Sequence, residues 1–135
     1  MQRRNRRTAP ETILTAVLQS INDAVVIKAS DGTIALWNRA AAELFGYTAP
    51  EVIGENSDLL IPPSELRHWR EYEKRLRGGG VMRRIHAVRV GKGGVRVRVI
   101  FAVAVVDKRR PASSEIVEIY RRSQATGIAA ISAGR

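Results

Sequence analysis

The sequence predicts an α+β fold. A five-stranded antiparallel sheet carries short helices on one face, with an amphipathic helix ahead of it. Two hairpin signals and the run between them support this. Asp31-Gly32 parts two β-rich runs near the start of the chain, and Gly91-Lys92-Gly93-Gly94 parts two more near its end. Between the hairpins stand short helical segments, several opened by a capping residue or closed by glycine. Strands at both ends with helices between them collect the helices on one side of an antiparallel sheet.

In chain order, Thr8 and Glu11 have capping-box spacing with Pro10 in the first turn. Ile13, Leu14, Val17, Leu18 and Ile21 then recur on one face, which predicts an amphipathic helix over 10–22 that closes near Ser20. Residues 23–29 are a β-branched run. Its hairpin partner is 33–37, with Ile34 and Leu36 on one face and Thr33, Ala35 and Trp37 on the other. Asn38 is an N-cap for a two-turn helix that Gly46 stops. Thr48 and Glu51 repeat the capping box, and Gly54 closes a single turn. Residues 56–63 read as irregular, and 63–77 as the longest helix after the first, ended by Gly78, Gly79 and Gly80. Residues 81–90 and 95–106 are strands around the Gly-Lys-Gly-Gly turn, 108–114 is a further turn, and 115–122 reads as the fifth strand or a short helix.

At 135 residues the chain is one domain's worth, and 44% hydrophobic content is enough for a modest core. There is no cysteine, which excludes disulfides, thiolate metal sites and cysteine nucleophiles. No apolar run reaches membrane-span length and the basic start lacks a signal-peptide core, so a cytoplasmic location is expected. The net charge is +10, with four arginines in the first seven residues. Such a field attracts nucleic acid, anionic lipid or an acidic protein without choosing among them. The expected division is a basic flexible arm over 1–9, the amphipathic helix over 10–22, the domain over 23–122 and a disordered tail over 123–135.

The order of elements, with Asp31-Gly32, Asn38, Phe45-Gly46-Tyr47 and Ile53-Gly54 in sequence and spacing, resembles the PAS sensor family. The resemblance runs from about Thr12 to Val106 and is weaker to about Arg122. It implies a sheet that cups small helices around a central pocket, and a role in sensing small molecules, light or redox state or in holding dimers together. Two departures stand out. Lys92-Gly93-Gly94 replaces the usual Lys-Asp-Gly turn, and the common Asp-Ile-Thr exit motif is absent. The module is expected to act without an effector of its own.

The pocket that the resemblance implies is expected to be lined by Leu36, Phe45, Ile53, Leu66, Trp69, Tyr72, Ile85, Val99 and Phe101. No cysteine is present to anchor a flavin adduct or a coumarate chromophore, so the cofactor stays unknown. Haem needs an axial ligand, for which His68, His86 and Met82 are the candidates. His68 occupies the helix where similar haem-binding members carry theirs. At about 100° per residue, however, His68 falls roughly 95° from the middle of the face made by Leu66, Trp69, Tyr72 and Leu76. That predicts a half-exposed boundary residue near Glu65 or Tyr72. His86, among Arg83, Arg84 and Arg89, suits an anionic ligand or reads as an exposed strand residue. Met82 reads as core filler.

On residues 95–106, Val95, Val97, Val99, Phe101, Val103 and Val105 form the core face. The other face turns apolar in its second half, through Ile100, Ala102, Ala104 and Val106, and something should cover it. The N-terminal helix is the natural cover, with apolar surface left over for a second subunit. Ile13, Val17, Trp37, Ile100, Ala102 and Ala104 are the expected interface, in a homodimer or with a signalling partner. Arg67, Arg70, Lys74, Arg75 and Arg77 on the long helix admit nucleic-acid binding, but aromatics make up only 5% and no recognition or stacking motif accompanies them. Asp23, Asp31, Asp58 and Asp107 fall at turns and element ends, and no phosphate-cradling loop is present, so no enzyme is expected. The function predicted is a sensor and signal-transduction module that binds a small ligand or mediates dimerisation.

Overall fold

The computed structural model describes residues 7–78 and 81–123. One antiparallel sheet runs in the order β2-β1-β5-β4-β3, from β1 (Ala24–Lys28), β2 (Ile34–Trp37), β3 (Val81–Val90), β4 (Arg96–Val105) and β5 (Ile116–Arg122). The helices are α1 (Pro10–Ser20), α2 (Arg39–Phe45), α3 (Ala49–Val52) and α4 (Leu66–Leu76). The segment that left strand and helix open is a strand at the centre of the sheet. β5 pairs with β1 on one side and β4 on the other, so it welds the two hairpins together. Most of the expected basic arm and all of the expected tail beyond Ser123 lie outside the described residues, as do Gly79 and Gly80.

Local chemistry accounts for most element ends. Asn38 accepts from the Ala41 N–H at 2.9 Å to cap α2, and Gly46 leaves the helix at φ 81°. The Thr48 N–H donates to Glu51 Oε1 at 2.7 Å, and Glu51 also pairs with Lys92, which ties α3 to the β3–β4 turn. Two expectations shift. The capping box at α1 does not form, because Pro10 takes the first helical position and leaves Ala9 as the cap, with Thr8 outside it. The helix expected from Pro63 begins as a 3-10 turn over Pro63–Glu65, and α4 proper starts at Leu66. The irregular 56–63 stretch holds a 3-10 turn over Ser57–Leu60, capped by Asn56.

The β1–β2 pair carries a bulge. Val26 faces Trp37 and Ile27 faces Leu36, but Lys28 faces Ile34. The extra residue, Ala35, changes the phase of the strand, so Ile34 and Trp37 share the core face although they are three apart. Strict alternation had put them on opposite faces. Trp37 is therefore buried, its Nε1–H donating to the Tyr47 carbonyl at 2.9 Å, and it is not an interface residue. Leu36 turns to the outer face opposite Ile27 and cannot line an inner pocket. At the other hairpin, Val95 belongs to the turn and is 61% exposed rather than core.

The core is a chain of rings, from Trp37 to Phe45, Tyr120, Phe101 and Trp69, with successive centroids 5.5, 5.2, 4.6 and 5.5 Å apart. Burying one such ring contributes about 1.5–3 kcal/mol. Gly91 lets the β3–β4 turn close onto α2, since a Cβ there would sit 2.4 Å from the Phe45 carbonyl oxygen. Gly91→Ala is expected to lower stability by roughly 1–3 kcal/mol, read as the urea midpoint. A midpoint unchanged from the parent would show that the turn yields at no cost.

The N-terminal helix does not cover the sheet. It rests on the start of α2, where Asn38 Nδ2 donates to the Leu18 carbonyl at 2.8 Å and the Arg39 N–H donates to Gln19 Oε1 at 2.8 Å. No residue of α1 is buried, and Ile13, Leu14 and Val17 are 53, 56 and 50% exposed. Ile100, Ala102 and Ala104 on the outer face stay partly exposed, and Ile119 and Val106 more so. The reason is geometric. Asn38 pins the end of α1 beside β1 and α2, and that leaves the helix no path across β4 and β5.

Candidate ligand cavity and its buried charges

A cavity of about 470 Å³ opens between α4 and the β3 edge of the sheet. The helix side supplies Ser64, Glu65, His68, Trp69 and Tyr72. On β3, Ile85, Ala87 and Arg89 stand opposite Phe101, Val99 and Val97 of β4, and this is the inner face. The cavity continues around the free edge of β3 to His86, Val88, Arg96 and Arg98, which belong to the outer face. Its volume suits a small organic molecule. A bulge between Met82 and Ile85, with Arg84 at φ 58°, bends β3 where it enters this wall.

Beside the cavity lies a set of buried charges. Lys28 is 2% exposed and contacts Glu73 at 2.5 Å, Glu118 at 3.3 Å and Ser57 Oγ at 3.2 Å. The Tyr120 hydroxyl donates to Glu118 Oε1 at 2.8 Å. Burial by itself pulls the Lys28 pKa down, but Glu118 and Glu73 outweigh it and hold the ammonium above its ordinary value. Burial first, and then the Glu118 charge, push Tyr120 well above the ordinary tyrosine value. Both shifts have the same sign for stability. Each group favours its protonated form in the folded chain, so its contribution is complete below the unfolded value and is lost as pH rises through the folded one. The protein is expected to lose stability above about pH 10, and the Tyr120 share of the tyrosinate absorbance should appear only on unfolding. A folded protein in which all three tyrosines ionise together would contradict this.

Arg89 is the second buried cation, 3% exposed. Its guanidinium carbon lies 5.0 Å from the centre of the Trp69 ring and 4.9 Å from that of Phe101. Sequence reading missed these polar groups inside the core. The signal was strand parity: Lys28 follows Val26 by two, Glu118 precedes Tyr120 by two and Arg89 follows Ala87 by two, so each shares the inward face of its strand.

Residues 12–118 match the PAS fold. The chain belongs to this family. Sensor protein FixL of Bradyrhizobium diazoefficiens is 41% identical over 59 residues, which cover 43% of this chain and 12% of that protein. Oxygen sensor protein DosP of Escherichia coli is 36% identical over 98 residues, 67% of this chain and 12% of that one. This PAS domain thus spans a small part of the length of its relatives. Among solved structures, the PAS domain of a protein from Colwellia psychrerythraea superposes with a TM-score of 0.75 at 18% identity, covering 84% of this chain and 96% of that one. The match bears out the family that Asp31-Gly32, Asn38, Phe45-Gly46-Tyr47 and Ile53-Gly54 resembled.

The expected site residues divide. Trp69, Tyr72, Ile85 and Val99 line the cavity. Phe101 lies beneath Trp69, ring centres 5.5 Å apart, and Leu66 packs partly buried against the core. Phe45 is 2% exposed, enclosed by Trp37 and Tyr120 and away from the cavity. Ile53 is 43% exposed beyond the end of α3, because the short helix turns Val52 inward instead.

His68 stands exposed at the cavity mouth with its ring edge-on to Tyr72, centroids 5.5 Å apart. That is the boundary position its helical angle predicted. The residue α4 turns toward the sheet is Trp69, and the Arg89 guanidinium stacks on it. No imidazole from α4 points into the interior, so the residues present do not fit a haem held through His68. His86 lies opposite Ile100 on the outer face, half-buried, with Nδ1 enclosed and unpartnered among the described residues. The basic stripe of α4 is also broken up. Arg70 pairs with Asp58 at 2.6 Å, Arg75 lies over the Tyr72 ring, and Arg77 donates to the carbonyls of Ser30, Pro111 and Ser114. Those arginines hold the fold together and do not form a continuous phosphate-contacting face.

Proposed function

We propose that this PAS domain, over 23–122, senses a small molecule in the α4–β3 cavity and signals through a homodimer built on α1 and the outer face of the sheet. The observation that carries this is the pair of unpaired apolar surfaces. The Ile13, Leu14 and Val17 stripe and the Ile100, Ala102, Ala104 and Ile119 patch are both open, and neither covers the other within one chain. A two-fold arrangement lets the helix of each subunit meet the sheet of its partner. A ligand between α4 and the sheet shifts the populations of sheet conformers, and the dimer contact reads the shift. The domain acts in the cytoplasm, without catalysis and without a cysteine-linked chromophore. No helix among the described residues is long and apolar enough to cross a membrane.

Ala102→Glu places a carboxylate at the centre of that surface. The variant is expected to turn a dimer into a folded monomer in native mass spectrometry, with little change in melting temperature. A parent chain that is monomeric at tens of micromolar, or a variant that stays dimeric, overturns the dimer. The haem alternative is checked by absorption after adding haemin and desalting. A Soret band lost in His68→Ala would mean that α4 rotates to present the imidazole.

A further inference from the structure

We infer that the cavity takes a carboxylate with a flat apolar body, gripped by Arg89. This rests on the reading of the cavity as a ligand site and names the chemistry of what enters it. Arg89 reaches the cavity wall from the inner face of β3, yet it is as buried as the core around it. A guanidinium carries five N–H donors that cannot be neutralised by losing a proton. Among the described residues its Nη1 donates to the Val88 carbonyl at 3.3 Å, and the guanidinium lies close enough to the Tyr120 hydroxyl to oppose the upward shift of that group. No carboxylate among the described residues forms an ion pair with it. The nearby acids are taken, buried Glu118 by Lys28 and Tyr120 and half-buried Glu73 by Lys28.

A guanidinium this far inside the fold is costly unless its donors find partners, and no carboxylate of the described residues supplies them. The two rings that stack on it, Trp69 and Phe101, hold the fork in place but accept no N–H in its plane. Arg89 is also one of the residues that line the cavity. Two parallel oxygens match the fork of an arginine, and this is the geometry of a carboxylate.

The rest of the wall selects the body of the ligand. Tyr72, Ile85, Ala87 and Val99 are apolar beside Arg89, which suits a ring or a short hydrocarbon. At the mouth, Arg96 and Arg98 stand against one acid, Glu65, so the approach is positive for an anion. An inorganic phosphate or sulfate would leave the apolar wall bare and asks for more donors than one fork supplies.

The test uses the whole chain and a panel of benzoate, phenylacetate, benzamide and inorganic phosphate, read by calorimetry and by the Arg89 Nε–H resonance. Benzoate or phenylacetate is expected to bind and to move that resonance, with benzamide and phosphate at least ~10-fold weaker. Arg89→Lys keeps the charge but loses the fork, and should weaken the acids ~10-fold or more. Arg89→Met should do the same, and Arg89→Lys serves if the methionine variant fails to fold. Equal binding of benzamide, with Arg89→Lys unchanged, overturns the carboxylate assignment while leaving a ligand cavity. Equal response to phosphate overturns it as a non-specific anion effect. No binding by any aromatic member overturns both the assignment and the ligand reading beneath it.

Discussion

Lys28→Met is expected to cost about 3–5 kcal/mol of folding free energy, measured as the shift of the urea midpoint at neutral pH. The ammonium is 2% exposed and stands between Glu118 and Glu73, which belong to β5 and α4. Without it the Glu118 carboxylate, also 2% exposed, keeps only the Tyr120 hydroxyl as a partner. Like charges then face each other, Glu118 fully buried and Glu73 partly so. Adding Glu118→Gln should recover more than about 1 kcal/mol, because it removes the stranded charge. A loss below about 1 kcal/mol for the single variant would mean that the cluster behaves like an exposed ion pair. The cluster joins β1, β5, α4 and the turn carrying Ser57. It is therefore the bracket that sets the distance from α4 to the sheet, and so the shape of the cavity.

Asn38→Ala is expected to cost roughly 3–5 kcal/mol, since four hydrogen bonds meet at one buried side chain. Its Oδ1 accepts from the N–H groups of Val25 and Ala41, and its Nδ2 donates to the carbonyls of Leu18 and Asp23. The residue both caps α2 and fastens α1. Asn38→Asp separates the two jobs. A carboxylate can still accept for the cap, but it repels the Leu18 and Asp23 carbonyl oxygens. The aspartate variant should lose less stability than the alanine variant while the amides of α1 exchange faster with solvent. Unchanged exchange across 10–20 would show that α1 is held elsewhere. In the proposed dimer this joint is the path by which the sheet moves the helix.

Part of the site was legible in the residues alone. The helical phase of α4, with Leu66, Trp69, Tyr72 and Leu76 on one face, set Trp69 and Tyr72 toward the cavity and His68 at its rim, because helical phase is local. The polar core was legible only as parity. Knowing that Lys28, Arg89 and Glu118 point inward does not say which of them meet, since β1, β3 and β5 are brought together by chain closure. Phe45 and Ile53 were misplaced for the same reason: a motif identifies the fold but not the side of the core that stays open.

What the sequence determined on its own is whatever a few neighbouring residues decide through backbone geometry. The Asp31-Gly32 turn, the Asn38 cap, the Gly46 exit and the amphipathic period of α1 and α4 belong here. What only the tertiary structure decided depends on contacts between distant segments. The β1–β2 bulge exchanged the faces of Leu36 and Trp37, a phase change that needs the partner strand to be seen. The seat of α1 beside α2 instead of across the sheet was decided by two side chains, Gln19 and Asn38. The buried Arg89 became a candidate anchor only once Glu118 and Glu73 were found committed to Lys28. Pairing among buried charges is settled by distances that no local pattern encodes.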